Sequence, residues 1–346
     1  MKFATTPPLE SARILPKLAL IIPLYNEEEI LAKSINLFCT KLDRLKQKNI
    51  ISLDSFIVFI DDGSLDSSFD ILQNRINSNN IVALALSKNV GHQNALLAGL
   101  QYVIDKCDCA ISIDCDLQQD IDKIDEFLVY FKNGCDIVFG VRKDRFSDGL
   151  FKKWSSNLFY KMMEILGVKI IKNHADYRLL SNKALGFLGE FKEVNLFLRG
   201  IVLEIGLKSA IVYFDVKKRE LGRSKYSLAK MMSLATNGIT SFSIAPLRII
   251  FVLGFLIALA SGIFGIYGIC IAIFSDSAVP GWASVVVPVY FLGGIEMLSL
   301  GIIGEYLGKV YKESKARPRY LIDKILISNK IHFQKNGAKL KSKNLK

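Results

Sequence analysis

Residues 111–118 read Ile-Ser-Ile-Asp-Cys-Asp-Leu-Gln, which places Asp114 and Asp116 two positions apart at the end of an apolar run. Side chains two positions apart on an extended strand point to the same face, so the pattern predicts two carboxylates directed at one spot. Carboxylates of this kind bind Mg²⁺ or Mn²⁺ together with the phosphate oxygens of a ligand. A single Asp-x-Asp occurs in many unrelated proteins, and its meaning therefore depends on the rest of the chain.

Two earlier apolar runs end in similar polar clusters. Residues 18–24 lead into Pro-Leu-Tyr-Asn-Glu (23–27), and residues 56–60 lead into Asp-Asp-Gly-Ser-Leu-Asp (61–66). A turn and a helix cap would explain either cluster alone. Open α/β sheets, however, bind their ligands at the carboxyl ends of their strands, and three acidic strand ends in one sheet indicate such a site.

Short apolar runs alternate with amphipathic stretches from residue 18 to about residue 140. This alternation predicts an α/β fold with a Rossmann-like, mostly parallel sheet that helices cover on both faces. The predicted strands are 18–24, 56–60, 81–86, 110–113 and 137–139, and the predicted helices are 28–46, 67–77, 93–105 and 121–132.

Several common chemistries lack their motifs in this chain. No Gly-x-Gly-x-x-Gly follows the first strand, and neither a P-loop nor a His-Glu-x-x-His sequence occurs. The six cysteines form no Cys-x-x-Cys pair and the chain has three histidines, which argues against a zinc framework and is typical of a reducing compartment.

Two long apolar segments near the C-terminus account for the mean hydropathy of +0.29. Residues 249–274 carry no charge, and residues 282–304 carry only Glu296. Each exceeds the roughly 20 residues that cross a bilayer, so we expect a C-terminal two-helix transmembrane hairpin within 246–308. Residues 226–245 have one apolar face. They predict either an amphipathic juxtamembrane helix at the interface or an ordinary core helix.

The net charge of +12 is concentrated at the C-terminus. Residues 315–346 hold ten Lys and Arg and one acid, which leaves 35 positive and 32 negative side chains in residues 1–314. The body of the protein is therefore not a basic nucleic-acid binder. No signal peptide is recognisable, and the positive-inside rule places both termini in the cytoplasm. We expect a cytoplasmic catalytic domain over 1–225 and a basic cytoplasmic tail over 309–346.

Several motifs in this order resemble those of the family-two glycosyltransferases, which have the GT-A fold. Within that family they resemble the polyprenyl-phosphate enzymes: bactoprenol glucosyltransferases of O-antigen modification and, more distantly, dolichol-phosphate mannose synthases. The resemblance covers about residues 15–322. It is carried by the three acidic clusters and by six further motifs: Ser-Lys-Asn-x-Gly-His-Gln-Asn-Ala (87–95), Ala-Asp-Tyr-Arg-Leu-Leu (175–180), Arg-Gly (199–200), Arg-x-x-Gly-Arg-Ser-Lys-Tyr (219–226), the glycine-rich motif at 293–309 and Arg-Pro-Arg-Tyr (317–320).

This resemblance implies a role for each of several residues. Those implied to bind the nucleotide sugar are Pro23, Tyr25, Glu27, Asp62, Asp114 and Lys225. Those implied to hold Mg²⁺ or Mn²⁺ and the diphosphate are Asp114, Asp116 and Gln118, with Asp116 as the direct ligand. Those implied to be catalytic are Asp116, Asp176 and Arg178. Those implied to contact the acceptor phosphate are Arg142, Arg199, Arg219 and Ser224.

The expected activity is therefore the transfer of a sugar, with inversion of configuration, to undecaprenyl phosphate or another polyprenyl phosphate. The expected donor is UDP-glucose or a similar nucleotide hexose. The expected location is the inner (plasma) membrane, with a lipid bilayer and a second copy of the chain as partners and no nucleic acid. Two alternatives stay open. The chain could transfer sugar to another lipid acceptor such as diacylglycerol, or it could be a non-catalytic membrane scaffold that binds nucleotide sugars.

Overall fold

The computed structural model describes residues 15–76, 80–143, 171, 173–194, 197–216, 282–327, 330–335 and 338–344, together with 249–257 and a few neighbouring helical positions. The chain divides into two compact units. The first contains 1–148, 171–224 and 318–346, and the second contains 149–170 and 225–317.

The first unit is built on one ten-stranded sheet. Its strands are β1 (Leu18–Leu24), β2 (Phe56–Asp61), β3 (Ile81–Leu86), β4 (Cys109–Ser112), β5 (Ile137–Arg142), β6 (His174–Ser181), β7 (Ser209–Phe214), β8 (Ile322–Ile327), β9 (Lys330–Lys335) and β10 (Ala338–Asn344). They lie in the order β10-β9-β8-β3-β2-β1-β4-β6-β5-β7. The prediction of an α/β fold is confirmed.

The four strands at the centre are parallel, because β1 pairs in parallel with both β2 and β4 and β2 pairs in parallel with β3. The chain moves from β1 outward to β3 and then returns to place β4 on the other side of β1. The order therefore reverses between β1 and β4, and such a reversal opens a crevice at the carboxyl ends of the strands. The flanks are mixed, since β6 runs antiparallel to both β4 and β5.

Helices follow the central strands as the amphipathic pattern predicts. They are α1 (Glu28–Gln47), α2 (Ser68–Arg75), α3 (His92–Tyr102), α4 (Ile124–Lys132, after a 3₁₀ turn), α5 (Asn182–Glu190) and α6 (Leu198–Glu204). Every residue of β1 is buried, as expected for a strand covered on both faces. Gly99 lets α3 approach the sheet closely, because a Cβ there would lie 2.6 Å from side-chain atoms of Ile21 and Ile60.

The C-terminal residues contribute strands that the sequence pattern does not reveal. β8 pairs antiparallel with β3, with Val82 opposite Ile327, and Ile325 and Leu326 are buried. Strands β9 and β10 extend the sheet further. The boundary drawn at residue 309 therefore separates these strands from the sheet to which they belong. Pairing with β3 joins positions far apart in the chain, and a local charge count does not detect it.

The second unit contains α7 (Trp282–Ser314), a helix of 33 residues with Pro288 inside it. At about 1.5 Å per residue such a helix is roughly 50 Å long. Residues Phe291–Ser314 are long and apolar enough to cross a membrane, by length and composition, and none of that window is buried. This is the one such helix among the described residues.

The other predicted membrane segments are described only in part. Residues 249–257 of the first predicted span are helical, and apolar side chains such as Phe251 and Phe255 are exposed. Most of 258–274, and all of the predicted juxtamembrane helix 226–245, lie outside the described residues. The two-helix hairpin stays a prediction.

Candidate active site

Pro23 lies inside β1 and is buried. The pairing of β1 with β4 ends at Ile21, whose carbonyl accepts from the N–H of Ile113. Backbone groups two residues apart on a strand face the same side, so the missing N–H of Pro23 points to where β4 has already turned away and no ladder bond is lost. Tyr25 and Glu27 follow, both partly exposed at the carboxyl edge. Their nucleotide contacts stay predictions.

The first two strand ends are joined by their own loops. The N–H of Asn26 donates to Ser64 Oγ (3.0 Å), and the Asn26 side-chain oxygen accepts from the N–H of Leu65 (2.8 Å). The N–H of Glu27 donates to Ser68 Oγ (3.0 Å). These bonds join the turn before α1 to the 61–68 segment, which supports the turn interpretation of the cluster. The helix-cap interpretation is not supported, because the N-cap residue of α1 is Glu27 and makes no side-chain cap hydrogen bond.

Asp62 holds the loop that follows β3. Its two carboxylate oxygens accept from the N–H groups of Val90 (2.8 Å) and Gly91 (2.9 Å). Burial raises the pKa of Asp62, and these two amide bonds oppose that effect. Gly63 adopts φ +67°, and a Cβ there would lie 2.6 Å from the backbone carbonyl carbon of Lys88. Asp62 and Gly63 therefore fix the 87–91 loop, and a nucleotide contact from Asp62 stays a prediction.

Asp114 and Asp116 follow β4 directly and are partly exposed. Asp114 Oδ2 accepts from Gln119 Nε2 (2.5 Å), and the N–H of Asp114 donates to Gln119 Oε1 (3.1 Å). Asp116 Oδ1 accepts from the N–H of Gln118 (3.1 Å), in a turn where Leu117 has φ 56°. The buried Gln119, which the sequence analysis did not single out, therefore orients Asp114, and a metal contact from the side chain of Gln118 stays a prediction.

The donor set of this loop fits a hard divalent cation. Burial raises the pKa of Asp114; nearby His92 lowers it, and the negative charges of Asp176 and Asp116 raise it. An added cation would relieve this mutual repulsion. Within the described ranges, no three or more His, Cys, Asp and Glu side chains form a metal-binding group. The loop thus suits a cation that is bound by one or two carboxylates and completed by ligand phosphates and water, as Mg²⁺ usually is.

Strand β6 brings a second charged cluster beside this loop. Asp176 and Arg178 lie two residues apart on β6, and the backbone carbonyl of Asp176 accepts from Ser112 Oγ of β4 (2.5 Å). Arg178 Nη2 donates to Asp176 Oδ1. Arg199, from α6, donates through Nη2 to Asp176 Oδ2 (2.9 Å) and through Nε to Oδ1 (3.3 Å). Three residues that the resemblance implied, Asp176, Arg178 and Arg199, therefore form one network.

The two arginines determine the ionisation of Asp176. Burial alone would raise its pKa, but the positive charges of Arg199 and Arg178 outweigh this effect and hold the pKa well below its usual range. Arg178 is only 1% exposed, and its Nη1 donates to the backbone carbonyl of Leu198 (3.3 Å). Asp176 is therefore a fixed anion with its own counterions, and it is a poor proton acceptor at neutral pH.

His174 begins β6 and is buried, edge-on to the Phe139 ring at 5.0 Å between centroids. Neither ring nitrogen has a hydrogen-bond partner among the described residues. Burial and the charge of Arg178 lower the pKa of His174 to about 2. The imidazole is therefore neutral at physiological pH.

The remaining predicted phosphate contacts are only partly described. Arg142 is exposed at the end of β5, close enough to act electrostatically on Asp114. Arg219, Ser224 and Lys225 lie outside the described residues, and their roles stay predictions.

His92 was not assigned a role from the sequence. It is the first residue of α3 and is about half exposed. Its Nε2 lies 3.6 Å from Asp114 Oδ1 and 3.7 Å from Asp176 Oδ2. The only signal was its place in the Gly-His-Gln-Asn-Ala motif at 91–95, which does not reveal which carboxylates it meets.

The sheet order brings the acidic strand ends to the crevice beside β1 and β4, which is where open α/β sheets bind their ligands. The family model of glycosyl transferase family 2 matches residues 19–189. The chain is 45% identical over 309 residues to the uncharacterized glycosyltransferase YkoT of Bacillus subtilis (strain 168), covering 89% of this chain and 91% of that protein.

The chain is also 37% identical over 311 residues to a prophage bactoprenol glucosyl transferase homolog of Escherichia coli (strain K12), covering 89% of this chain and 99% of that protein. Among solved structures, TarS 1–349 of S. aureus in complex with UDP-GlcNAc aligns over 65% of this chain and 66% of that chain, with 16% identity and a TM-score of 0.43. The chain belongs to glycosyl transferase family 2.

Proposed function

We propose that this chain is an inverting glycosyltransferase of the GT-A type that moves a glucosyl or similar hexosyl group from a nucleotide sugar to a polyprenyl phosphate. The name of the Escherichia coli relative supports the glucosyl group and the bactoprenol acceptor. The observation that carries the proposal is that two charged clusters lie next to each other and differ in their counterions. The first cluster contains Asp114 and Asp116, which are partly exposed. In the second cluster, Asp176 forms ion pairs with both Arg178 and Arg199.

The donor would bind at the β1, β2 and β4 ends. Tyr25, Glu27 and Pro23 line the edge expected to receive the nucleoside, and Asp114 and Asp116 would hold Mg²⁺ or Mn²⁺ with the diphosphate. When bound, the cation neutralises charge that develops on the departing nucleoside diphosphate. Gln119 contributes by holding one Asp114 oxygen, so that the other oxygen would be left for the cation.

The acceptor would approach the β6 and α6 side. A phosphate monoester has a second pKa near 6, so its oxygen is largely ionised at neutral pH and needs no strong base. This agrees with the depressed pKa of Asp176, which arises because Arg199 and Arg178 outweigh burial. Asp176 therefore orients the two arginines, and Arg199, with Arg142, supplies positive charge to the acceptor phosphate.

The reaction is a direct displacement. A phosphate oxygen of the lipid forms a bond to the anomeric carbon while the bond from that carbon to the diphosphate oxygen breaks, and the electron pair leaves with the nucleoside diphosphate. One displacement inverts the configuration, so an α-linked donor gives a β-linked lipid-phosphate sugar.

A membrane location follows from the acceptor, whose polyprenyl chain stays in the bilayer. The exposed apolar surface of α7 supports it. We extend this to two spans, 249–274 and 282–304, an interfacial helix over 226–245, and cytoplasmic termini in the inner membrane, with a second copy packed through the membrane helices. The basic residues after α7 would add roughly 1 kcal/mol each where they reach an anionic surface.

The test is a donor panel with the full-length protein in detergent micelles, undecaprenyl phosphate and Mg²⁺ or Mn²⁺. We expect UDP-glucose to give a hexosyl lipid phosphate by mass spectrometry, with the β configuration by NMR. Retention of the α configuration would contradict direct displacement. Parallel reactions with diacylglycerol test the alternative acceptor, and nucleotide-sugar binding without any product would support the scaffold alternative.

A further inference from the structure

His92 stands between the two halves of the proposed site without a role in either. Its Nε2 lies 3.6 Å from Asp114 Oδ1, on the donor side, and 3.7 Å from Asp176 Oδ2, on the acceptor side. We propose that His92 is a positioning residue that bridges Asp114 and Asp176 and so aligns the bound donor with the acceptor phosphate. This inference rests on the proposed function and deepens it.

The loop before α3 is anchored tightly enough to place the imidazole. Both oxygens of Asp62 accept from the N–H groups of Val90 and Gly91, the two residues immediately before His92. Asn94 Nδ2 returns a bond to the Val90 carbonyl (2.9 Å). The backbone that carries His92 is therefore held from both sides before any ligand binds, as a preorganised site requires.

The residue that follows His92 connects α3 to the acceptor side. Gln93 Oε1 accepts from the N–H of Leu198 (3.0 Å), which is the first residue of α6 and precedes Arg199. Three consecutive side chains therefore contact three parts of the site. His92 lies near the two carboxylates, Gln93 bonds to the helix that carries Arg199, and Asn94 bonds to the 87–91 loop. This segment therefore couples the position of the donor side of the site to the position of the acceptor side.

The geometry at Nε2 suits a bridge. The two distances lie just beyond the normal range of about 2.7–3.2 Å for an N–H···O bond, so a small shift of either carboxylate completes a bond to the imidazole N–H. Removing the imidazole would leave two carboxylates facing each other across the site with no donor between them. Misalignment of reacting groups by about 1 Å can lower a rate by about a hundredfold.

The experiment compares the full-length wild type with His92→Ala, His92→Gln and the control Lys132→Ala, in which an exposed side chain of α4 is removed away from the site. We expect His92→Ala to lower kcat by about tenfold to a hundredfold with a smaller change in donor KM. Gln keeps an N–H near the Nε2 position, so His92→Gln should recover most of kcat. Lys132→Ala should match the wild type.

A second readout needs no turnover. The electron paramagnetic resonance spectrum of Mn²⁺ bound with UDP should change in His92→Ala and return toward wild type in His92→Gln. An unchanged kcat and spectrum in His92→Ala, or equal impairment of both variants, would overturn the bridging role. If the wild type transfers no sugar to polyprenyl phosphate, the proposed function fails, while the Mn²⁺–UDP spectra still decide the role of His92.

Discussion

Asp114 and Asp176 both approach Nε2 of His92, but the pKa of Asp114 is raised and the pKa of Asp176 is lowered. Burial raises the pKa of Asp114, and its closest partner is the neutral amide of Gln119. Asp176 is more deeply buried, but Arg199 and Arg178 hold its pKa well below the usual range. A carboxylate that is proposed to bind a cation from solution is better left without an arginine counterion. A buried carboxylate that must stay in a fixed position is stabilised by its own counterions.

The largest expected effect tests the donor side. Asp116→Asn removes the negative charge proposed to bind the metal, and transfer activity should fall on the order of a thousandfold, the several kcal/mol that a metal ion supplies. The measurement is lipid-linked product formation with Mn²⁺, and EDTA should abolish the wild-type reaction. Asp70→Asn, an exposed change in α2, is the control. Full activity of Asp116→Asn would remove Asp116 from the metal role.

The next effect tests the acceptor side. Arg178→Met deletes one counterion of a buried pair, and removing one partner of such a pair destabilises by about 3–5 kcal/mol. The melting temperature of the purified protein should fall by several degrees. Arg44→Met, an exposed change in α1, should leave it nearly unchanged. An unaltered melting temperature in Arg178→Met would mean that the Asp176 network does not support the fold.

The pH dependence of stability isolates the buried end of β6. His174 has a pKa of about 2 in the folded protein against about 6.5 in an unfolded chain. Below pH 6.5 the unfolded chain takes up a proton that the folded protein refuses, so stability is lost as pH falls. The loss is on the order of 2 kcal/mol by pH 5. Thermal unfolding of His174→Phe should show a flatter pH dependence over this window, and an identical slope in both proteins would contradict it.

The smallest effect tests how the 87–91 loop is supported. Gly63→Ala puts a Cβ 2.6 Å from backbone atoms of Lys88 at a φ of +67°, and we expect a loss of about 1–2 kcal/mol of stability and a raised donor KM. Gly186→Ala is the matched control, because nothing lies within 4 Å of its Cβ and the position is helical. It should be neutral or slightly stabilising. Equal behaviour of the two variants would show that the loop tolerates displacement.

The central strands could be predicted because their signal is local. The predicted run 18–24 coincides with β1, and 81–86 coincides with β3. Strands β6 to β10 were not predicted, and for β6 and β8 the reason is that their antiparallel partners β4 and β3 lie far away in the chain. The basic composition after residue 315 concealed β8 in particular, since its sequence Ile-Asp-Lys-Ile-Leu-Ile mixes charged with apolar residues.

The amino-acid sequence alone determined that acidic side chains follow three parallel strands, because strand periodicity and strand–helix alternation are written in neighbouring residues. Only the tertiary structure decided which partner each acid meets: backbone amides for Asp62, Gln119 for Asp114, two arginines for Asp176, and His92 between the last two. Those pairings depend on the order in which β4 and β6 enter the sheet and on burial, and both arise from contacts between residues that are distant in the chain.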